Sequence, residues 1–344
     1  MTKTTDRIAL VLGATGGVGG EIAGALARRG WRIRALVRQT DGAASRVRPE
    51  WEAVTGDATD AQAVRRAAEG AALIVHAVNP PGYRNWAGLV LPMIDNTIAA
   101  GRASGARVLL PGTIYNYGPD AFPVLRENSP QNPATRKGAI RVELERRLEA
   151  AANEGVRSLI LRCGDFFGPK PGNNWFSQGL VKPGRPLRAV TYPGRAGVGH
   201  AWAYLPDVGE AFAALAEAEA DLPAFARFHF AGHWDPDGRA MTAAIARAIS
   251  DPALKVKPLP WPLLRLVAPF QETVRELLEM QGFWRAPVRL DNAALLARLG
   301  REPHTPLDVA IRATLAGLGV PLAAADIGRP VAPAVAVSNV RRAA

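Results

Sequence analysis

The chain opens on a polar hexapeptide and then on an apolar run, Ile8-Ala9-Leu10-Val11-Leu12. Similar short runs recur down the first half, separated by stretches whose apolar positions repeat at helical spacing. Apolar runs bounded by turn residues fit strands buried on both faces, and the amphipathic stretches fit crossover helices. This pattern predicts strands at 8–12, 32–37, 52–55, 73–75, 107–110 and 158–161. Helices are predicted near 17–29, 60–68, 86–103 and 135–154, with Asp60 as an N-cap and Gly30, Gly70 and Gly105 at helix stops. Right-handed βαβ crossovers then give an α/β fold around a doubly wound parallel sheet.

Beyond Gly168 the texture changes. Residues 169–199 are dense in Gly, Pro, Asn and Trp, a composition suited to loops and short strands over a ligand cleft. A helix at 207–219 and a strand at 227–230 follow, and 242–319 reads as mainly helical. The predicted division is a dinucleotide-binding domain at 1–165, with 200–222 returning to it. A smaller, mainly helical C-terminal substrate domain takes 166–199 and 223–322, and 323–344 form a loosely held tail.

The first strand runs straight into Gly13-Ala14-Thr15-Gly16-Gly17-Val18-Gly19, and a helical pattern follows. Glycines there let the backbone turn sharply and approach a pyrophosphate, whose charge rests on free N–H groups at the helix N-terminus. Strand before and helix after make the loop specific for a dinucleotide in a Rossmann-type sheet. At the tip of the second strand, where an acid accepts hydrogen bonds from an NAD ribose, stands Arg38. Its guanidinium suits a 2′-phosphate, so NADP is expected ahead of NAD, although Asp41 three residues on could fold back toward the ribose.

The spacing Gly-x-x-Gly-x-x-Gly resembles that of the short-chain dehydrogenase/reductase superfamily, and further segments resemble its extended, epimerase/dehydratase branch. Gly56-Asp57-Ala58 is similar to the segment whose Asp contacts adenine. His76-Ala77-Val78-Asn79 is similar to the stretch that lies along the cofactor. Thr113-Ile114-Tyr115-Asn116-Tyr117-Gly118 resembles the Ser/Thr-x-x-x-Tyr-Gly stretch, and Arg162-Cys163-Gly164-Asp165-Phe166-Phe167-Gly168-Pro169 the segment beside the nicotinamide. Tyr204-Leu205-Pro206-Asp207-Val208 resembles the start of a late family helix. The resemblance implies cofactor contacts from Gly13, Thr15, Gly16, Gly17, Val18, Gly19, Asp57, Ala58, Ala77, Val78, Asn79, Thr113, Cys163, Gly164 and Asp165, with Arg38 added from the strand-tip argument.

The resemblance also implies a catalytic Tyr followed four residues later by a Lys, and here the chain departs from it. The segment reads Asn132-Pro133-Ala134-Thr135-Arg136-Lys137-Gly138-Ala139-Ile140-Arg141-Val142-Glu143. Anchoring on Glu143 puts Thr135 and Ala139 at the two positions; anchoring on Lys137 puts Pro133 at the first. Neither register holds a Tyr. The remaining candidates are Thr113, matching the family's hydroxyl position; Tyr115, two residues on and on the same side of an extended chain; and Lys137, as cation or base. Each has a plainer reading: a strand-end hydroxyl on backbone, a packed ring, a solvated first-turn lysine. Asp165 faces the expected nicotinamide and is a further acid, and His200 follows a Gly-rich loop and titrates near neutrality unless structural. Trp175, Phe176, Trp202, Trp234 and Trp284 line an apolar pocket or pack the core. His229 and His233 lack a third ligand at metal-site spacing, so no metal is expected.

Composition changes this picture little. The net charge is +11, but only six of 42 basic residues are Lys and the arginines are scattered, so nucleic acid is not an expected partner. The single Cys163 excludes an intrachain disulfide and fits a reducing, cytoplasmic setting; no apolar run is long enough to span a membrane. The expected partners are a small-molecule substrate and, in a homodimer, a second copy, with no membrane among them. Two functions stay open. One is an atypical NAD(P)-dependent oxidoreductase, epimerase or dehydratase acting on a small carbonyl or alcohol, a sugar nucleotide among them, with a nonstandard proton donor. The other is a catalytically inactive NADP(H)-binding sensor.

Overall fold

The computed structural model describes residues 7–38, 44–80, 85–170, 172 and 174–322. Asp41 and the 323–344 segment, both subjects of sequence expectations, lie outside them.

In chain order the elements are β1 (Ile8–Leu12), α1 (Gly17–Arg28), β2 (Arg32–Val37), β3 (Glu52–Thr55), α2 (Ala61–Ala67), β4 (Ala71–His76), α3 (Trp86–Ser104), β5 (Arg107–Thr113), β6 (Val124–Leu125), α4 (Arg136–Ala152) and β7 (Ser158–Cys163). There follow β8 (Asp165–Phe167), β9 (Ala189–Tyr192), β10 (His200–Tyr204), α5 (Leu205–Glu217), β11 (Phe225–Phe230), β12 (His233–Asp235) and α6 (Ala240–Ala248). The chain ends through β13 (Lys255–Pro258), α7 (Trp261–Val267), α8 (Glu272–Glu279), β14 (Arg289–Leu290), α9 (Ala293–Leu299) and α10 (Leu307–Gly317).

Seven parallel strands form the main sheet in the order β11-β7-β5-β4-β1-β2-β3. The chain leaves β1 toward β3 and returns to β4 on the other side, so the strand order reverses between β1 and β4. Open sheets of this kind bind ligands at the C-terminal ends of strands flanking such a reversal. The central strands are largely apolar because helices cover both faces: α1 and α5 bury Ile22, Leu26, Phe212 and Leu215 on one, and α3 and α4 bury Ile94, Ile98, Leu144 and Leu148 on the other. Local chemistry sets the ends. Asp60 accepts hydrogen bonds from Gln62 N and Ala63 N at the start of α2, Thr135 accepts one from Gly138 N at the start of α4, and Gly105 closes α3.

One boundary differs from expectation. Residues 225–230 were expected to belong with the second part; β11 instead pairs with β7 along Phe225↔Ser158 to Phe230↔Cys163 and forms the outer strand of the main sheet. The chain therefore crosses back after its change of texture. The second part carries a three-stranded sheet, β12-β10-β8, and the helices α6 to α10, with β13 paired to β9 and β14 to β6. Its core gathers Phe167, Phe176, Tyr192, Trp202 and Trp284. Asp207, at the start of α5, accepts hydrogen bonds from Thr305 N and Thr305 Oγ1 (both 2.7 Å) and ties the two parts together. No helix among the described residues is long and apolar enough to cross a membrane.

Candidate active site

The glycine loop is held in its turn by Gly16 N donating to Gly13 O (2.9 Å). Gly13 has φ +90°, and a Cβ there would sit 2.4 Å from Ala77 O; one on Gly19 would sit 2.3 Å from Gly13 O. Both distances are impossible for real side chains, so glycine is required for α1 to cross this close to β1 and β4. Gly16 caps α1 with no side-chain hydrogen bond, and its first turn holds no acid. The positive helix end therefore keeps its capacity for an anion.

In front of this loop lies a cleft of about 320 Å³. Of the expected cofactor residues, Gly13, Thr15, Gly16, Arg38, Asp57, Ala58, Ala77, Val78 and Asn79 line it, while Gly17, Val18 and Gly19 form the adjoining turn of α1. The Asp57 carboxylate accepts from Thr59 N (2.8 Å) and Thr59 Oγ1 (2.7 Å), which fixes its orientation at the cleft wall. Arg46, which the sequence reading passed over, joins Arg38 in the lining. Arg38, Arg46 and the uncapped start of α1 line one cleft, a set of donors that fits the phosphates of a dinucleotide.

Thr113, Cys163, Gly164 and Asp165 lie outside this cleft lining, the first two ending β5 and β7 and the others just past β7. Thr113 and Cys163 are register partners. Thr113 Oγ1 accepts from Tyr115 N (3.2 Å), leaving the hydroxyl proton to be donated elsewhere. Cys163 is buried, burial pushes its thiol well above the ordinary range, and its Sγ faces Leu161 O (3.7 Å). It is a packing residue.

Tyr115, Asp165 and His200 meet. The Tyr115 hydroxyl donates to Asp165 Oδ1 (3.4 Å), and His200 Nε2 lies 2.8 Å from Asp165 Oδ2. Asp165 is only 9% exposed and His200 3%. Trp284 stacks on the His200 ring, with centroids 3.7 Å apart and planes within 6°, and Phe283 packs on the Tyr115 ring at 5.4 Å. The loop after β5, the start of β8 and the start of β10 thus deliver one group each, and the turn after α8 delivers the two rings that pack on them. The sequence offered Tyr115, Asp165 and His200 separately, and no spacing rule joins them. Among the expected pocket aromatics, Phe176 and Trp202 are buried in the core of the second part, and Trp175 and Trp284 pack edge to face.

Lys137 is corrected. Expected as a catalytic cation or as a solvated lysine, it is neither: its side chain is 2% exposed, with Nζ 3.0 Å from Glu276 Oε2 and donating to Glu276 O (3.0 Å). Burial pulls its ammonium below the ordinary lysine range, and Glu276 pulls the other way. It locks α4 to α8. One turn along the same face, Arg141 donates to Asn79 Oδ1 (2.8 Å) at the cleft wall and lies 5.1 Å from the Trp86 ring centroid. Arg141 was overlooked; its place four residues after Lys137 was the available signal. No aromatic residue occurs in α4.

The other candidates are structural. The Tyr117 hydroxyl donates to Arg126 O (3.1 Å), sits 2.8 Å from His229 Nε2 and bonds the Arg162 guanidinium; burial raises it to about 12. Burial pulls His229 down to about 3 and His233 to about 4, so both stay neutral. Arg162 and Glu145 form a buried ion pair (2.5 Å) behind the site.

Comparison with known proteins accords with this geometry. The model of the NAD dependent epimerase/dehydratase family matches residues 9–228. A 3-diazoavenalumate denitrifying reductase of Streptomyces sp is 33% identical over 181 residues, 47% of this chain and 57% of the relative. A ceramide reductase of Caulobacter vibrioides is 34% identical over 177 residues, 49% of each chain. The chain thus spans about half the length of the curated relatives it matches. Among solved structures, UDP-glucose 4-epimerase from Brucella ovis in complex with NAD superimposes with a TM-score of 0.72 at 17% identity, covering 92% of this chain and all of that one, a likeness of fold.

Proposed function

The chain belongs to the NAD dependent epimerase/dehydratase family, and from that premise we propose that it is an NADP(H)-preferring reductase of a small, uncharged carbonyl compound, with Tyr115 as its proton donor. The observation that carries this reading is the Tyr115–Asp165–His200 chain at the ends of β5 and β7. When bound, the nicotinamide supplies the hydride. Everything else falls to the protein. The Thr113 hydroxyl and the Tyr115 phenol hold the substrate oxygen. As that oxygen becomes an alkoxide, Tyr115 gives it the phenolic proton and takes one back from water once the product has left, while Asp165, bonded to both the phenol and His200, holds the phenol in place. Arg38 and Arg46 account for the coenzyme preference by facing a 2′-phosphate.

The acid side chain beside Tyr115 and the rings of Phe283 and Trp284 favour an uncharged substrate over a nucleotide sugar, whose diphosphate Asp165 would repel. The two curated relatives are reductases by name, which supports net reduction rather than epimerisation. NADPH oxidation is to be followed over a panel of ketones and aldehydes, with coenzyme binding measured in parallel. Tyr115→Phe should lower kcat by about 10²–10⁴-fold and leave coenzyme affinity unchanged. Full turnover in that variant would overturn the assignment of the donor; binding without turnover in the native protein would favour a coenzyme sensor instead.

A further inference from the structure

The segment between β13 and α8 has a composition that its surroundings do not use. From Pro252 to Gln271 it contains three cations, Lys255, Lys257 and Arg265, no Asp or Glu, and a high density of apolar residues. Helix α7 buries none of its residues. Leu263, Leu266 and Phe270, at i, i+3 and i+7, form a stripe along α7 and the turn that continues it, and they are 57%, 72% and 88% exposed. Three large side chains left this open on one stripe mark an interaction surface rather than scatter.

The segment is nevertheless firmly attached. Trp261 Nε1 donates to Pro193 O (2.9 Å), Leu259 N donates to Tyr192 O (3.0 Å), and Arg265 is held at Gln281 Oε1 (2.9 Å). The apolar stripe is therefore presented on a fixed support. Lys255 and Lys257, exposed on β13, make no ion pair among the described residues, and just beyond the segment the exposed Arg275 offsets the exposed Glu272.

We propose that this face rests on the surface of an anionic lipid bilayer, with Leu263, Leu266 and Phe270 inserted among the acyl chains and Lys255, Lys257 and Arg265 at the headgroups. Charge chooses this occupant. A second copy docking the same face about a two-fold axis would set cations against cations, whereas an anionic headgroup layer complements them. Shape agrees, since an 88% exposed Phe270 projects from the surface and a fluid interface takes it up without a matching pocket. The inference does not depend on the reductase reading.

Flotation of the full chain with vesicles tests it. The protein should float with phosphatidylcholine vesicles containing phosphatidylglycerol, stay behind with phosphatidylcholine alone, and be released as salt rises. Leu266→Glu/Phe270→Glu and Lys255→Glu/Lys257→Glu should each lower vesicle partitioning about tenfold or more. Unchanged coenzyme affinity in both variants shows that the fold has survived. No flotation of the native chain, or flotation that neither variant reduces, overturns the proposal. So does a concentration-dependent dimer, seen by light scattering without vesicle binding, that Leu266→Glu/Phe270→Glu abolishes.

Discussion

The glycine-loop cleft lies on the main sheet, whereas the Tyr115–Asp165–His200 cluster joins the loop after β5 to the three-stranded sheet, and the two are built on opposite principles. The cleft is made largely of backbone: a turn at Gly13, the bare start of α1, the strand ends of β2 and β4. Each of its parts is a short local motif, and their positions follow from regular secondary structure. The cluster is made of side chains 50 and 35 residues apart, wedged between aromatic rings that the second part of the chain supplies. A site of backbone tolerates change in most side chains; a site of side chains depends on whatever packs behind each of them.

The comparison breaks most visibly at Lys137. Glu276→Ala would leave its ammonium buried without a carboxylate, at a cost of about 3–5 kcal/mol in unfolding free energy. Urea titration should record that loss, while coenzyme affinity, which belongs to the other region, stays put whenever the protein is folded. A destabilisation near zero would mean that α8 is not held there.

Asp165→Asn comes next, with an expected fall in kcat of about a hundredfold, equivalent to roughly 2.7 kcal/mol of barrier, and no change in coenzyme affinity. If affinity fell and kcat did not, Asp165 would belong to the coenzyme site and the two regions would merge. Arg38→Asp should do the converse. It should weaken NADPH binding by about ten- to a hundredfold more than NADH binding, with turnover at saturating coenzyme preserved. An unchanged NADPH/NADH ratio in titration calorimetry would remove the phosphate reading.

The smallest effect sharpens the contrast from the scaffold side. Asp60→Ala removes two hydrogen bonds at the start of α2 and should cost about 1 kcal/mol of stability, with catalysis and coenzyme choice both intact. Differential scanning calorimetry would read it as a melting temperature lower by about 1–2 °C.

Much of the first region was legible before folding was considered. The strand runs, the capping Asp60 and the Gly13–Gly19 loop each announce themselves within a few residues, because strand period, helix period and turn chemistry are local properties. Arg46 escaped notice because it reaches the cleft from beyond β2 rather than from a strand tip. The strand at 225–230 was assigned to the wrong part because Arg227 and His229 interrupt its apolar run, and a change of composition at residue 168 gives no warning that the chain will cross back.

The sequence by itself determined the sheet, the anion-ready start of α1 and a helix α4 without an aromatic residue, all of which need only neighbouring residues to be stated. Tertiary structure alone decided that Asp165 faces His200 and Tyr115, that Lys137 answers to a glutamate 139 residues away, and that α7 is left with its apolar side outward. Contacts across such separations leave no periodic trace in a chain. They are chosen by which groups can be buried together with their hydrogen bonds and charges satisfied, and that balance exists only once the whole core has closed.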